Sequence, residues 1–400
     1  METRAYLQGA FAKFYRENPE LIQPPPSMER REFGFQLFRG RVMVRHKRFK
    51  TPGELREFMA RVGPSDAYRS AAYYERPDAE MAEKGWLGAD LAFDIDADHI
   101  ETPCKEEHDV WRCVKCGRVG RGPAPERCPK CGCEKFKVST WPCEVCLKSA
   151  KEELQKLVDV LTDDFGFSQS EMHVYFSGHR GYHLMLEEET IRTLNQDERK
   201  EIADYLMAVG IDPALHGFEV GGGGYIRLDA PGWRGRIARG VYQILLSDEE
   251  LRKAGVRGDA LQRGREALLR GLEEGVLRLP RGVGRRTWSR VALYGAQRQS
   301  VRLDPVVTID VHRLMRLEGS LHGKTGLRKV EVPISRLEVF DPLREAVAFR
   351  RGEVAVRILE DTVKFRVGED VYGPYTAGMR VELPTAAAIL LLCKGFAEVA

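Results

Sequence analysis

Apolar and polar positions follow two different periods along this chain. Residues 31–48 alternate like paired strands, with Phe33, Phe35 and Leu37 on one face and Val42 and Val44 repeating the pattern on the next strand. Leu91-Ala92-Phe93-Asp94-Ile95-Asp96 is a strand with two unlike faces. Residues i and i+2 of a strand point the same way, so Phe93 and Ile95 face a core while Asp94 and Asp96 project together. Two further strands, about 172–176 and 182–186, flank the tight turn Ser177-Gly178-His179-Arg180-Gly181. Helical spacing runs over 1–22, where Gln23-Pro24-Pro25-Pro26 breaks it. It recurs over 148–164, through Ala150, Leu154, Leu157, Val158 and Leu161, and over 190–209. Gly221 to Gly224 is expected to be loop. Residues 240–295 combine mixed charge with helical spacing and suggest an inserted helical subdomain. Strand character returns near Val306, Asp310 is placed at the start of a helix carrying Arg313 and Arg316, and the last 60 residues mix short strands with a final helix. No repeat of 20–50 residues is present, and the interleaved order favours an α+β fold.

Composition narrows this picture. Hydrophobic residues make up 43% and charged residues 31% of the 400 positions, a globular profile with ample core. The net charge of +3 hides an uneven distribution. Arg227 to Arg302 holds 17 Lys/Arg against 8 Asp/Glu, which suggests a polyanionic partner, although a solvated helical surface has the same signature. The opening METRAYLQGAFAKFY is too charged for a secretory segment, and no run approaches the roughly 20 apolar residues of a membrane span. The apolar run Ala386 to Cys393 reads as a buried helix. A cytoplasmic protein without membrane attachment is the expectation.

Eight of the nine cysteines fall between Cys104 and Cys146, and in a reducing compartment such clustering indicates metal. Cys113-x2-Cys116-Gly and Cys128-Pro-x-Cys131-Gly supply four thiolates at the spacing of a tetrahedral zinc site. Cys104-x3-His108 and Cys143-x2-Cys146 flank that set and make a second one, so two structural zinc ions are expected, with Cys133 left over. Four protein ligands leave no open position, so neither set is catalytic. The acidic face of the 91–96 strand suits a divalent cation, since adjacent carboxylates repel unless one lies between them; a solvated acidic face is the other reading. In Ser177 to His183, two glycines let the backbone approach an anion, and Ser177, Arg180 and His183 can donate to phosphate oxygens. Ser320-Leu321-His322-Gly323-Lys324-Thr325-Gly326 repeats that chemistry.

Taken in order, Phe93-Asp94-Ile95-Asp96, the nested Cys/His knuckle, Ser177-Gly178-x-Arg180-Gly181-x-His183, Leu303-Asp304 and Ser320 to Gly326 resemble the small catalytic subunits of archaeal and eukaryotic-type DNA primases. Arg31-Glu32-Phe33 and Val44-Arg45 are similar to that family as well. The resemblance spans about 30–345 and implies a fold: a catalytic core around an RRM-like sheet (1–100, 147–239 and 296–400), a zinc-binding module (101–146) and a helical insert (240–295). It implies that Asp94, Asp96 and Asp304 hold Mg2+ or Mn2+. Asp304 is preferred to Asp310 because it follows Leu303 and lies 18 residues before His322. By the same resemblance Ser177, Gly178, Arg180, His183, His322 and Lys324 bind a nucleoside triphosphate, helped by Arg45 and Arg316. The family commonly has Arg where this chain has His179, and the Cys113–Cys131 ribbon is an insertion beyond the usual knuckle. The implied activity is synthesis of short primers in DNA replication on a single-stranded DNA template, with a large regulatory subunit as partner. A non-catalytic zinc-ribbon nucleic-acid binder is the rival class, and it leaves the three aspartates unexplained.

Overall fold

The computed structural model describes residues 3–40, 42–219, 226–256 and 259–400. The glycine run at 221–224 lies outside the described residues. The chain divides into two compact units: Met1–Glu152, Glu171–Gln196 and Asp304–Ala400 form the first, Glu153–Ser170 and Asp197–Leu303 the second.

The first unit is mixed α and β. One four-stranded antiparallel sheet has the spatial order Leu314–Arg316, Asp66–Ser70, Phe33–Gln36, Met43–Lys47, and Phe35 pairs with Val44. Phe33 and Phe35 are fully buried, and Phe35 packs against Phe58 at 4.7 Å between ring centroids. Burying a side chain of this size contributes about 1.5–3 kcal/mol, so alternation alone commits this strand to one face. The second four-stranded sheet runs Val330–Glu331, Met172–Phe176, Gly181–Leu186, Leu91–Asp96, again antiparallel. Phe93, Ile95, Tyr182 and Leu184 are buried on it. Its register sets Asp94 opposite His183 and Asp96 opposite Gly181. A Cβ on Gly181 would lie 2.1 Å from the Ile95 carbonyl oxygen, so only glycine allows the acidic strand this close.

Residues 305–309, expected near a strand, form a short helix, Pro305–Ile309. Asp304 caps it by accepting from the Val306 N–H at 2.9 Å, and proline occupies the first turn, where its missing N–H costs nothing. Asp310 ends this helix instead of starting one. Arg316 therefore sits in the Leu314–Arg316 strand, which pairs with Asp66–Ser70. Around the cysteines, Val110–Cys113 is the centre of a three-stranded sheet between Val119–Arg121 and Phe136–Ser139. Near the C-terminus, the buried helix Thr385–Lys394 follows the antiparallel Arg380–Pro384 and Glu353–Ile358 pair. No described helix is long and apolar enough to cross a membrane.

The second unit is helical. Helices Gly232–Leu245 and Arg285–Gln299 approach through glycines: a Cβ on Gly240 would meet the Gly295 carbonyl oxygen at 2.2 Å. Trp288, Ile237, Val241 and Leu268 share one core. That core draws in residues before 240, such as Trp233 and Ile237, because the 232–245 helix buries one face against the 285–299 helix. The compact helical unit is therefore wider than the expected 240–295 stretch.

Candidate active site and cysteine clusters

The two glycine turns meet. Gly178 adopts φ +88°, and its carbonyl accepts a hydrogen bond from the Thr325 hydroxyl at 2.5 Å. The His179 ring stacks on His322, with centroids 5.0 Å apart and planes 18° from parallel. Ser177, His183, His322 and Lys324 line a cavity of about 200 Å3 together with Asp94 and Asp96. Residues more than 200 positions apart in the chain thus face one small polar space.

The cavity sets cationic and neutral donors beside a crowded acidic strand. Burial pushes the carboxyl of Asp94 up to about 7, and the charges of Asp96 and Asp304 add to the effect. Asp96 is raised for the same first reason. Its Oδ1 accepts from the Asp98 N–H at 2.9 Å. Asp304 is tied to the strand by its backbone, whose N–H donates to the Asp94 carbonyl at 2.9 Å. Burial and nearby cations drive His183 and His322 well below the usual histidine range, so both rings are neutral. His322 Nδ1 accepts from the Lys324 N–H at 3.1 Å, which places the ring proton on Nε2 as a donor. His183 Nε2 lies 3.6 Å from Asp94 Oδ1, longer than a hydrogen bond. Arg316 lines the cavity with its Nη1 anchored to Asp66 Oδ1 at 2.7 Å.

Four expected residues, Arg45, Gly178, Arg180 and Asp304, are not among those that line the cavity. Arg45 makes a paired contact with buried Glu32 at 2.9 and 3.2 Å. Arg180 is fully buried, donates to Asp109 at 3.1 Å and lies against Asp98. The cavity also includes residues that local sequence did not single out. Tyr68 and Arg313 line it, as does His179, whose Nε2 is buried without a hydrogen-bond partner among the described residues. Asp66 supports it by accepting from the Gly323 N–H at 2.9 Å. A histidine inside a glycine turn was the only local signal for any of these.

Both cysteine sets close up as drawn from the spacing. In Cys113, Cys116, Cys128 and Cys131, and again in Cys104, His108, Cys143 and Cys146, all ligand atoms lie within 4.8 Å of one another. The Cys113–Cys131 and Cys116–Cys128 sulfurs are 3.6 Å apart, and the Cys104–Cys143 and Cys104–Cys146 sulfurs 3.5 Å. A zinc tetrahedron with arms of about 2.3 Å has edges of roughly 3.8 Å, so both sets fit zinc. Cys133 stays outside both sets, and its sulfur accepts from the Lys135 N–H at 3.4 Å.

An acidic strand faces neutral and cationic donors around a small cavity, and the same unit carries two cysteine sets that could each hold a zinc ion. A family model for the DNA primase small subunit matches residues 139–334. The chain is 35% identical over 399 residues to the DNA primase small subunit PriS of Cenarchaeum symbiosum, covering 98% of each chain. It is 31% identical over 398 residues to the PriS of Nitrosopumilus maritimus, covering 99% of this chain and 98% of the relative. It is 33% identical over 403 residues to the PriS of Archaeoglobus fulgidus, covering 100% and 99%. The chain belongs to the DNA primase small subunit family.

Proposed function

We propose that this protein makes primers by template-directed nucleotidyl transfer and that the cavity between the acidic strand and the two glycine turns is its nucleotide site. The supporting observation is that single cavity, lined by Asp94 and Asp96 together with Ser177, His183, His322 and Lys324. Asp94, Asp96 and Asp304 would hold Mg2+ or Mn2+; the pressure of burial and like charge on Asp94 is what a bound cation would relieve. When bound, such a cation lowers the pKa of the primer 3′-hydroxyl and offsets charge on the α-phosphate and the departing pyrophosphate. The chain's own groups do the rest. Lys324 and the Nε2–H of His322 donate to phosphate oxygens, His183 and Ser177 add neutral donors, and Arg316 contributes a fixed positive charge held by Asp66. Donors fixed before the substrate arrives need no reorganisation as charge develops on the leaving group.

In this reading the Leu91–Asp96 sheet is the RRM-like centre of the catalytic core, and the helical unit is the insert. The template is single-stranded DNA. The name "small subunit" borne by the relatives supports a large-subunit partner. Nine free cysteines, eight of them in the two clusters or beside them, suit a reducing compartment such as the cytoplasm.

Lys324→Ala separates a triphosphate role from a template role. It is expected to raise the nucleotide KM or lower kcat by about tenfold or more, while affinity for single-stranded DNA, followed by anisotropy across salt, stays near wild type. Collapse of DNA affinity with unchanged nucleotide dependence would move this turn to the template path.

A further inference from the structure

Arg180 raises a question that its position in the glycine turn does not answer. Its guanidinium is fully buried, and one nitrogen, Nη1, is held 3.1 Å from Asp109 Oδ1, while Nε has no hydrogen-bond partner among the described residues. The same oxygen of Asp109 lies 2.8 Å from Nδ1 of His108. On its far side, His108 turns Nε2 toward the Cys146 sulfur at 3.5 Å, inside the Cys104/His108/Cys143/Cys146 set. Arg180 in turn leads to the acidic strand. Its carbonyl accepts from the Ala97 N–H at 3.2 Å, and its guanidinium contacts Asp98, whose own N–H donates to Asp96. Asp109 and His108 are both buried. A carboxylate in that position is expensive unless both partners use it.

The geometry points to Asp109 as a positioning residue that joins the outer zinc-type cluster to the nucleotide cavity. One carboxylate oxygen fixes the His108 tautomer, with the proton on Nδ1 and Nε2 free to ligate. The same oxygen holds the guanidinium of Arg180 at the edge of the Ser177–Gly181 turn. Carboxylates behind ligating histidines set ring orientation and metal affinity. Here that carboxylate has a second partner, one turn residue away from the cavity-lining His179. Loosening of the cluster is thereby transmitted to Arg180 and to the turn. This role for Asp109 rests on the nucleotidyl-transfer reading given above.

The test uses the full-length zinc-loaded protein and two readouts on each variant. Zinc release to a chromogenic chelator reports the cluster, and steady-state nucleotide KM and kcat report the cavity. Asp109→Ala is expected to release one of two zinc equivalents 10–100-fold faster than wild type, in line with the usual effect of losing such a carboxylate. It should also raise the nucleotide KM about tenfold, with kcat changed less. Asp109→Asn keeps an oxygen for His108 but loses the charge for Arg180, so it should raise KM while retaining zinc better than Asp109→Ala. It also serves where the alanine variant does not fold. Faster zinc release with a wild-type KM, or a raised KM with wild-type zinc retention in Asp109→Ala, overturns the link. A wild-type KM in Asp109→Asn does so as well. Failure of the parent reading looks different: the wild-type protein itself would incorporate no nucleotide, whatever its zinc does.

Discussion

Glu318 is buried between Arg69, at 3.2 Å, and Lys329, at 2.9 Å. Burial alone would raise its carboxyl, but Arg69 and Lys329 override burial and hold it down at about 2. Its folded pKa lies below the unfolded value of about 4.3, so its contribution is fully present above that value. The contribution is lost as pH falls toward 2, and is on the order of 3 kcal/mol for this group. Thermal unfolding followed from pH 6 down to pH 2 should therefore show Glu318→Gln less stable at neutral pH, with a shallower acid slope than wild type. Parallel acid slopes for the two proteins would mean that Arg69 and Lys329 do not hold this carboxylate. The network matters for the site because Arg69 lies within, and Glu318 just beyond, the strand pair that carries Tyr68 and Arg316 to the cavity.

At the scale of elements, the two cysteine sets carry the clearest expectation. Eight ligands in two closed groups should retain about two zinc ions per chain after washing with a weak chelator, by metal analysis. One ion would leave only one of the sets as a metal site, and none would remove both. These clusters were legible in the sequence because thiolate spacing is local. The Leu91–Asp96 strand and the glycine turn between Met172–Phe176 and Gly181–Leu186 were legible too, because alternation and paired glycines are local signals. Other features were not. Asp304 as a helix cap depends on Pro305 and a backbone bond to Asp94, 210 positions away, so strand-like Val306 and Val307 misled. Arg316 sits in a strand because Asp66–Ser70 offers it an edge, and nothing near residue 316 encodes that partner. Arg45 looked free as a phosphate ligand because its claimant, Glu32, lies just before the neighbouring strand Phe33–Gln36. Pairing across sheets decides which basic residues remain available, and a single sequence does not display pairing.

For the molecule as a whole, the first unit contains every group assigned to chemistry, and the second contributes a helical body with its own core. Family membership accounts for the order of the motifs, and the cavity gathers carboxylates from one strand and side chains from two turns around about 200 Å3. The central claim is that this cavity transfers nucleotides through the paired aspartates. The most direct measurement is incorporation of labelled nucleotide on single-stranded DNA with Mg2+ or Mn2+, comparing wild type with Asp96→Ala at matched folding by circular dichroism. Metal-dependent products from the wild type, and at least a hundredfold less from Asp96→Ala with its fold intact, are expected for a carboxylate that holds the metal. Near-normal synthesis by a folded Asp96→Ala would contradict the assignment of this strand as the active site.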